Sequence, residues 1–377
     1  MSNVNNLQLR VAPSSSGPES MGEAIRVLVV DDSAVIRGAL SRTLDGAGGI
    51  EVCGSAMDGE RALVRIEELE PDVVVLDVEM PGMDGLETLD HIRRRWRELP
   101  VIMFSTLTER GARVTTDALF RGASDVCAKP TSLSGQGGAL EQIQRELVPR
   151  IRALAGRQSR PSTPAPAAPR KRLGLPRPPR VLVVGSSTGG PEALSTFLTG
   201  LPADLPVPVV VVQHMPPTFT RLLAERIDAQ AGLRVREASG GEVLRPGDVW
   251  IAQGGYHLLV EKGPGGPRLA LDTGPEENSC RPAVDPLLRT ASAAYAGGVL
   301  AVILTGMGAD GLAGCQVVDA ANGQVMAQDR ESSVVWGMPG FVTEAGLADF
   351  TGTPEQLAVE AARRASRGNL LARRTGS

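Results

Sequence analysis

Residues 181–198 read VLVVGSSTGGPEALSTFL. The apolar run Val181–Val184 leads straight into Gly185-Ser186-Ser187-Thr188-Gly189-Gly190, and a helical pattern begins near Pro191. A short β-branched run suits a strand buried on both faces, and proline suits the first turn of a helix. The segment therefore reads as a strand, a tight turn and a helix of a parallel α/β sheet. Gly185-x-Ser187-x-Gly189 fits the pattern G-x-S-x-G, whose glycines let a sharp turn present a serine hydroxyl. A helix N-terminus there points backbone N–H groups at a developing anion. Two readings stand beside a hydrolase, a nucleotide-phosphate loop and a purely structural turn. The spacing is not G-x-G-x-x-G, no acidic residue ends a second strand at the expected distance, and G-K-[ST] is absent.

Outward from this segment the same alternation recurs. Apolar runs at Val207–Val212 and Val299–Leu304 belong to the same block, and Arg26–Val30, Val73–Leu76, Val101–Phe104 and Asp125–Ala128 form an earlier one. Longer amphipathic stretches separate them, which predicts two α/β, doubly wound parallel-sheet domains. Residues 155–180 hold seven prolines, seven Arg/Lys and no acid. Proline removes backbone donors and fixes φ, so this stretch reads as a semi-extended linker or a basic docking site. The expected organisation is a disordered tail at 1–24, domains at 25–154 and 181–377, and a linker at 155–180.

Composition narrows the function classes. Hydrophobic residues make up 42% of the 377, enough for a core in each domain. Aromatic residues make up only 3% and the formal net charge is −4, which argues against nucleic acid as a partner. Both blocks are acidic, with 17 basic against 23 acidic residues in 1–154 and 15 against 20 in 181–377. The four cysteines, Cys53, Cys127, Cys280 and Cys315, form no C-x-x-C pair, which fits a reducing compartment. No apolar run approaches the ~20 residues that cross a bilayer, and the N-terminus has no apolar signal-peptide core. A cytoplasmic monomer with no membrane insertion is expected.

In the first block, RVLVV runs into Asp31-Asp32 and VVVL into Asp77. Parallel strands end on one edge, so three carboxylates meet there. Their repulsion favours a hard divalent cation, Mg²⁺, which also accepts phosphate oxygens. VIMF ends in Ser105, and DVCA ends in Lys129-Pro130, a cation before a proline with access to the cis peptide. With the turn MPGMDG after Asp77, these residues resemble the receiver domain of two-component response regulators over most of 25–150. The resemblance implies a flavodoxin-like fold, with phosphorylation of Asp77 by a histidine kinase. It further implies Mg²⁺ on Asp31, Asp32, Asp77 and the carbonyl of Glu79, and phosphoryl contacts from Ser105 and Lys129. His91 lacks such support and reads as an exposed helical residue.

In the second block a nucleophilic serine needs a base. His214 directly follows VPVVVVQ and so lies at a strand end, as Ser187 does, whereas His257 lies inside a hairpin or strand. Asp310, in the Gly-rich loop after VLAVILT, is the best-placed acid, with Asp285 its rival. The loop Thr305–Gly308 offers oxyanion-hole amides. The order Ser, His, Asp departs from that of α/β-hydrolases. GSSTGGPEAL, QHMPPTFT, CRPAVDPLL and LTGMGADG, in that order, strongly resemble the catalytic domain of protein-glutamate methylesterases, the CheB family of bacterial chemotaxis. A receiver in front completes that family's architecture.

The resemblance implies a Rossmann-like catalytic domain with a triad of Ser187, His214 and Asp310. It implies oxyanion contacts from Thr188 and Met307, and no cofactor for the esterase step. The implied substrates are methyl-glutamate and some glutamine side chains of methyl-accepting chemoreceptors. The unphosphorylated receiver is expected to cover the Ser187 pocket. Gln253 replaces the proline usual in IAPGGYH, and the tail and long linker are extras.

Overall fold

The computed structural model describes residues 23–106, 108–130, 138–156 and 176–375, with the side chains of 110, 139 and 367–377 outside that description. The N-terminal unit alternates β1 (Ile25–Val30), α1 (Ala34–Asp45), β2 (Ile50–Ala56), α2 (Gly59–Leu69), β3 (Val73–Asp77), α3 (Gly85–Arg95), β4 (Val101–Ser105), α4 (Glu109–Phe120), β5 (Asp125–Ala128) and α5 (Gly138–Ala155). Its strands pair in parallel in the order β2-β1-β3-β4-β5. The helices start where the sequence supplies a cap. Ser33, Asp58, Asp84 and Thr108 each accept a backbone N–H of the first turn of α1 to α4.

The C-terminal unit begins with β6 (Val181–Ser186), α6 (Gly190–Thr199), β7 (Val209–Gln213), α7 (Phe219–Asp228), β8 (Arg234–Glu237) and β9 (Asp248–Ile251). A hairpin of β10 (His257–Gly263) and β11 (Gly266–Asp272) follows, then α8 (Val284–Ala294), β12 (Val299–Ile303), α9 (Leu312–Ala320) and β13 (Gln324–Gln328). The unit closes with α10 (Met338–Glu344), β14 (Phe350–Gly352) and α11 (Pro354–Thr375). The seven-stranded sheet runs β14-β13-β12-β6-β7-β9-β8 and is parallel throughout. β6 is central, with β7 on one side and β12 on the other, so the chain reverses its direction of winding there. A crevice at such a switch point is where open α/β sheets bind ligands.

Two glycines set the shape around that crevice. Gly189 caps α6 at φ 73°, a left-handed conformation that glycine adopts without steric cost. A Cβ on Gly185 would lie 2.7 Å from both methyl groups of Val284, so its absence lets α8 close onto β6.

The two units share apolar layers. Met307, Val334 and Val335 of the C-terminal unit pack with the N-terminal core of Cys127, Ile143 and Leu147. Helix α4 lies against α7, with Arg221 on Glu109 at 3.0 Å and Arg226 on Asp117 at 3.5 Å. Thr188 Oγ1 donates to Asp125 Oδ2 at 2.5 Å, and the Gly189 N–H donates to Ser124 O at 3.1 Å.

Some expectations need amendment. The Lys129–Pro130 bond is trans, and the cis peptide among the described residues is Arg281–Pro282. The end of the supposed linker is docked, because Arg177 N–H donates to Asn322 O and Arg180 N–H to Gly298 O. The tail at 1–22 and the Pro-rich 157–175 lie outside the described residues. No helix among the described residues is long and apolar enough to cross a membrane.

Gly185→Ala should destabilise the C-terminal unit by about 1–3 kcal/mol through overpacking against Val284. Urea denaturation checks this, and an unchanged midpoint would contradict the close approach.

Candidate active site

Backbone hydrogen bonds tie three strand ends together. Leu304 N–H donates to Gly185 O at 2.9 Å, Ser187 N–H to Thr305 O at 3.0 Å, and His214 N–H to Ser186 O at 3.1 Å. Buried Gln213 fastens the turn further. Its Oε1 accepts from Ser186 Oγ at 2.6 Å, and its Nε2 donates to Ser187 O at 2.8 Å. Ser187, His214 and Asp310 thus converge on one edge from the ends of β6, β7 and β12.

Asp310 is buried, and His214 Nε2 lies 2.8 Å from its Oδ2. Val284 N–H also donates to Oδ2, while Asn278 Nδ2, Asp285 N–H and Gly311 N–H donate to Oδ1. Burial alone would raise the Asp310 pKa, but His214 and these amides outweigh it and hold the carboxyl below its ordinary value. Burial likewise disfavours the His214 imidazolium. Asp310 and the sulfur of Cys280, 3.6 Å from Nδ1, outweigh it and push His214 up to about 10. Among the described residues Ser187 Oγ makes no hydrogen bond to the ring.

The rivals separate cleanly. Asp285 turns from His214, accepting Gly314 N–H at 2.6 Å and Asn278 Nδ2 at 3.0 Å. Buried His257 accepts Ala283 N–H on Nδ1 and so carries its proton on Nε2, toward Pro275 O. It braces the loop that ends at α8. His91 is exposed on α3. The oxyanion candidates narrow, since Thr305 N–H donates to Gln328 Oε1 and Gly306 N–H to Val335 O. No described residue accepts from the N–H of Thr188 or Met307.

At the other edge, carboxylate oxygens of Asp31, Asp32 and Asp77 all lie within 4.8 Å of one another. Lys129 Nζ lies 2.8 Å from Asp31 Oδ2 and 2.8 Å from Asp77 Oδ2. Buried Ser105 accepts the Lys129 N–H on its backbone oxygen at 2.7 Å. Glu79 N–H donates to Asp77 Oδ1 at 3.2 Å, which turns its loop toward the cluster. Burial pushes Asp77 up to about 6 against the opposing pull of Lys129.

Family comparisons match both domains. Residues 182–361 match the CheB methylesterase family and residues 27–135 the response regulator receiver domain. A protein-glutamate methylesterase/protein-glutamine glutaminase of Nocardioides sp. strain JS614 is 50% identical over 354 residues, covering 91% of this chain and 96% of that protein. A protein of the same name from Trichodesmium erythraeum is 44% identical over 90% of this chain and 98% of its own length. The chain belongs to the CheB methylesterase family. Among solved structures, the Thermotoga maritima CheB methylesterase catalytic domain is 43% identical, with a TM-score of 0.48, over 49% of this chain and 98% of that one.

The sequence reading named the residues at each strand end of the methylesterase domain but gave no role to Gln213, Asn278 or Cys280. Glutamine directly before His214, and cysteine in CRPAVDPLL, were the available signals. It also gave no role to Asp125 and Arg150, receiver residues that reach the junction.

The Asp77 carboxyl titrates in the folded receiver above its unfolded value. Stability is therefore present at low pH and is lost as pH rises through about 6. In metal-free buffer Asp77→Asn should stabilise the receiver near pH 7.5 and do so less near pH 5. Thermal unfolding at the two pH values checks the sign.

Proposed function

We propose that Ser187, His214 and Asp310 carry out hydrolysis of glutamate methyl esters, and deamidation of some glutamines, on chemoreceptors. The observation that carries this reading is the buried His214–Asp310 pair at the same sheet edge as Ser187. Asp310 faces Nε2, which leaves Nδ1 as the nitrogen that takes the Ser187 proton. The serine oxygen attacks the ester carbonyl, and methanol leaves with the proton that His214 returns. When the substrate is glutamine, ammonia leaves in place of methanol, and in both cases water activated by His214 then releases glutamate. The N–H groups of Thr188 and Met307 are the oxyanion donors, because those of Thr305 and Gly306 are committed elsewhere. No cofactor takes part in this step.

In the receiver, a histidine kinase supplies the phosphoryl group and Asp77 is the acceptor. The hard-oxygen donor set of Asp31, Asp32, Asp77 and the Glu79 carbonyl fits Mg²⁺. When bound, that ion offsets charge on the transferring group. Lys129 and Ser105 then contact the phosphoryl oxygens. In the present arrangement Lys129 spans two carboxylates, so phosphorylation must draw it onto a new partner.

Strand β5 connects this event to the ester site. Lys129 follows one end of β5, and Asp125 at the other end holds Thr188 beside the nucleophile. The receiver also packs over Met307. The unphosphorylated receiver thereby covers both oxyanion donors, and phosphorylation of Asp77 favours release.

Methanol release from methylated chemoreceptor membranes tests the chemistry. Ser187→Ala should lower the rate ~10⁶-fold if the residues act as a unit, and Asp310→Asn ~10⁴-fold. Near wild-type turnover by Ser187→Ala would overturn the assignment. Asp77→Ala should abolish stimulation by acetyl phosphate with Mg²⁺.

Asp125→Ala removes one charge-assisted contact of the cover, worth about 1.5–3 kcal/mol. It should therefore raise activity without phosphodonor on the order of tenfold or more. Unchanged basal turnover would remove Asp125 from the hold.

A further inference from the structure

Cys280 closes a four-residue turn. Its N–H donates to Glu277 O at 3.0 Å, and Glu277 N–H returns to Cys280 O at 3.2 Å, with Asn278 and Ser279 at φ 54° and 59°. The turn is anchored from three sides. Arg289 grips Glu277 with two bonds of 2.6 and 2.7 Å, Asn278 Nδ2 reaches Asp310 Oδ1 at 2.9 Å, and His257 braces the chain at Pro275 and Ala283. The sulfur is thus fixed 3.6 Å from His214 Nδ1, in line with the 2.8 Å contact from His214 to Asp310. On the receiver side, the half-buried Arg150 guanidinium lies within electrostatic reach of the same sulfur.

A cysteine sulfur against an imidazole that is itself held by a carboxylate repeats the pairing of a nucleophile with an oriented base. The other cysteines differ. Cys127 and Cys315 are buried, and burial pushes their thiols up, Cys127 to about 12. Cys53 is half-buried, donates to Val27 O at 3.4 Å, and is also raised chiefly by burial. Cys280 is half-buried.

We propose that Cys280 is a peroxide-reactive modification site whose oxidation takes the base away from Ser187. The proposal rests on the reading of His214 as that base. The Cys280 sulfur, its proton passed to His214, attacks one oxygen of hydrogen peroxide, forming an S–O bond as the O–O bond breaks. The leaving hydroxide takes the proton held by His214 and departs as water. Sulfur is oxidised by two electrons to sulfenic acid, and the peroxide is reduced by two. The new S–OH donates to His214 Nδ1, the nitrogen needed for the Ser187 proton, and a thiol reductant restores the thiol.

The test uses the full chain, hydrogen peroxide with dimedone trapping, and iodoacetamide competition read by peptide mass spectrometry. Cys280 should label at least ~10-fold faster than Cys53, Cys127 or Cys315, and His214→Gln should slow it ~10-fold. Methanol release should fall with the sulfenic fraction and recover with dithiothreitol. Whatever activity Cys280→Ser retains should not respond to peroxide. Labelling of Cys280 no faster than Cys53, or unchanged in His214→Gln, overturns the proposal, and fast labelling without loss of turnover overturns its inhibitory half. Labelling needs no esterase activity. An active Ser187→Ala with fast Cys280 labelling would therefore sink the ester mechanism and leave the reactive thiol standing.

Discussion

The methylesterase site hangs on one buried carboxylate. Asp310 accepts from His214, Val284, Asn278, Asp285 and Gly311, so five donors from four separate segments meet on two oxygens. An ionised carboxyl removed from water is costly unless its lone pairs are filled, and filling them dictates the loops around it. Helix α8 must present its first amides, which requires it to close on β6 where Gly185 leaves room. The loop before α8 must turn tightly enough to deliver Asn278. The carboxylate then orients the ring of His214, the one of the five donors that can move a proton.

A second constraint joins the domains. Strand β5 is only four residues long, Asp125–Ala128. Its first residue grips Thr188, and Lys129 just beyond it bridges Asp31 and Asp77. So short a paired strand cannot stretch or bend independently of its ends. Burial raises the Asp77 pKa, and Lys129 partly offsets that, so the unphosphorylated cluster depends on the lysine lying where it does. In the proposed regulation, an event that moves Lys129 acts on the strand whose far end holds Thr188.

Much of this was legible in the sequence because parallel strands end on one edge. Once Val181–Val184, Val207–Val212 and Val299–Leu304 are read as buried strands, Ser187, His214 and Asp310 must share that edge, and the same logic gathers Asp31, Asp77, Ser105 and Lys129. What was not legible follows other physics. β2, IEVCGSA, mixes exposed and buried residues and carries no continuous apolar run. Position in the chain already ranked Asp310 above Asp285, but the reason Asp285 stays away from the imidazole, its hold on Gly314 N–H and Asn278, has no local pattern. Thr188–Asp125 joins residues 63 positions apart across a domain junction, and no local pattern encodes such a pair.

The proposed receiver cover and the charge state of the base have separate origins. His214 has an almost wholly buried side chain, and Asp310 with the Cys280 sulfur keeps its proton on against that burial. An imidazole charged at both nitrogens has no lone pair for a serine proton. Arg150 and Met307 lie on the same side, one bringing the receiver's charge toward Cys280 and the other packing against the receiver core. Withdrawing the receiver would leave Asp310 and Cys280 in place, and relieving burial favours the charged ring rather than release of its proton. The charge on His214 is therefore set inside the catalytic domain by Asp310 and Cys280, and the proposed receiver control acts on access to the edge where Thr188 and Met307 lie.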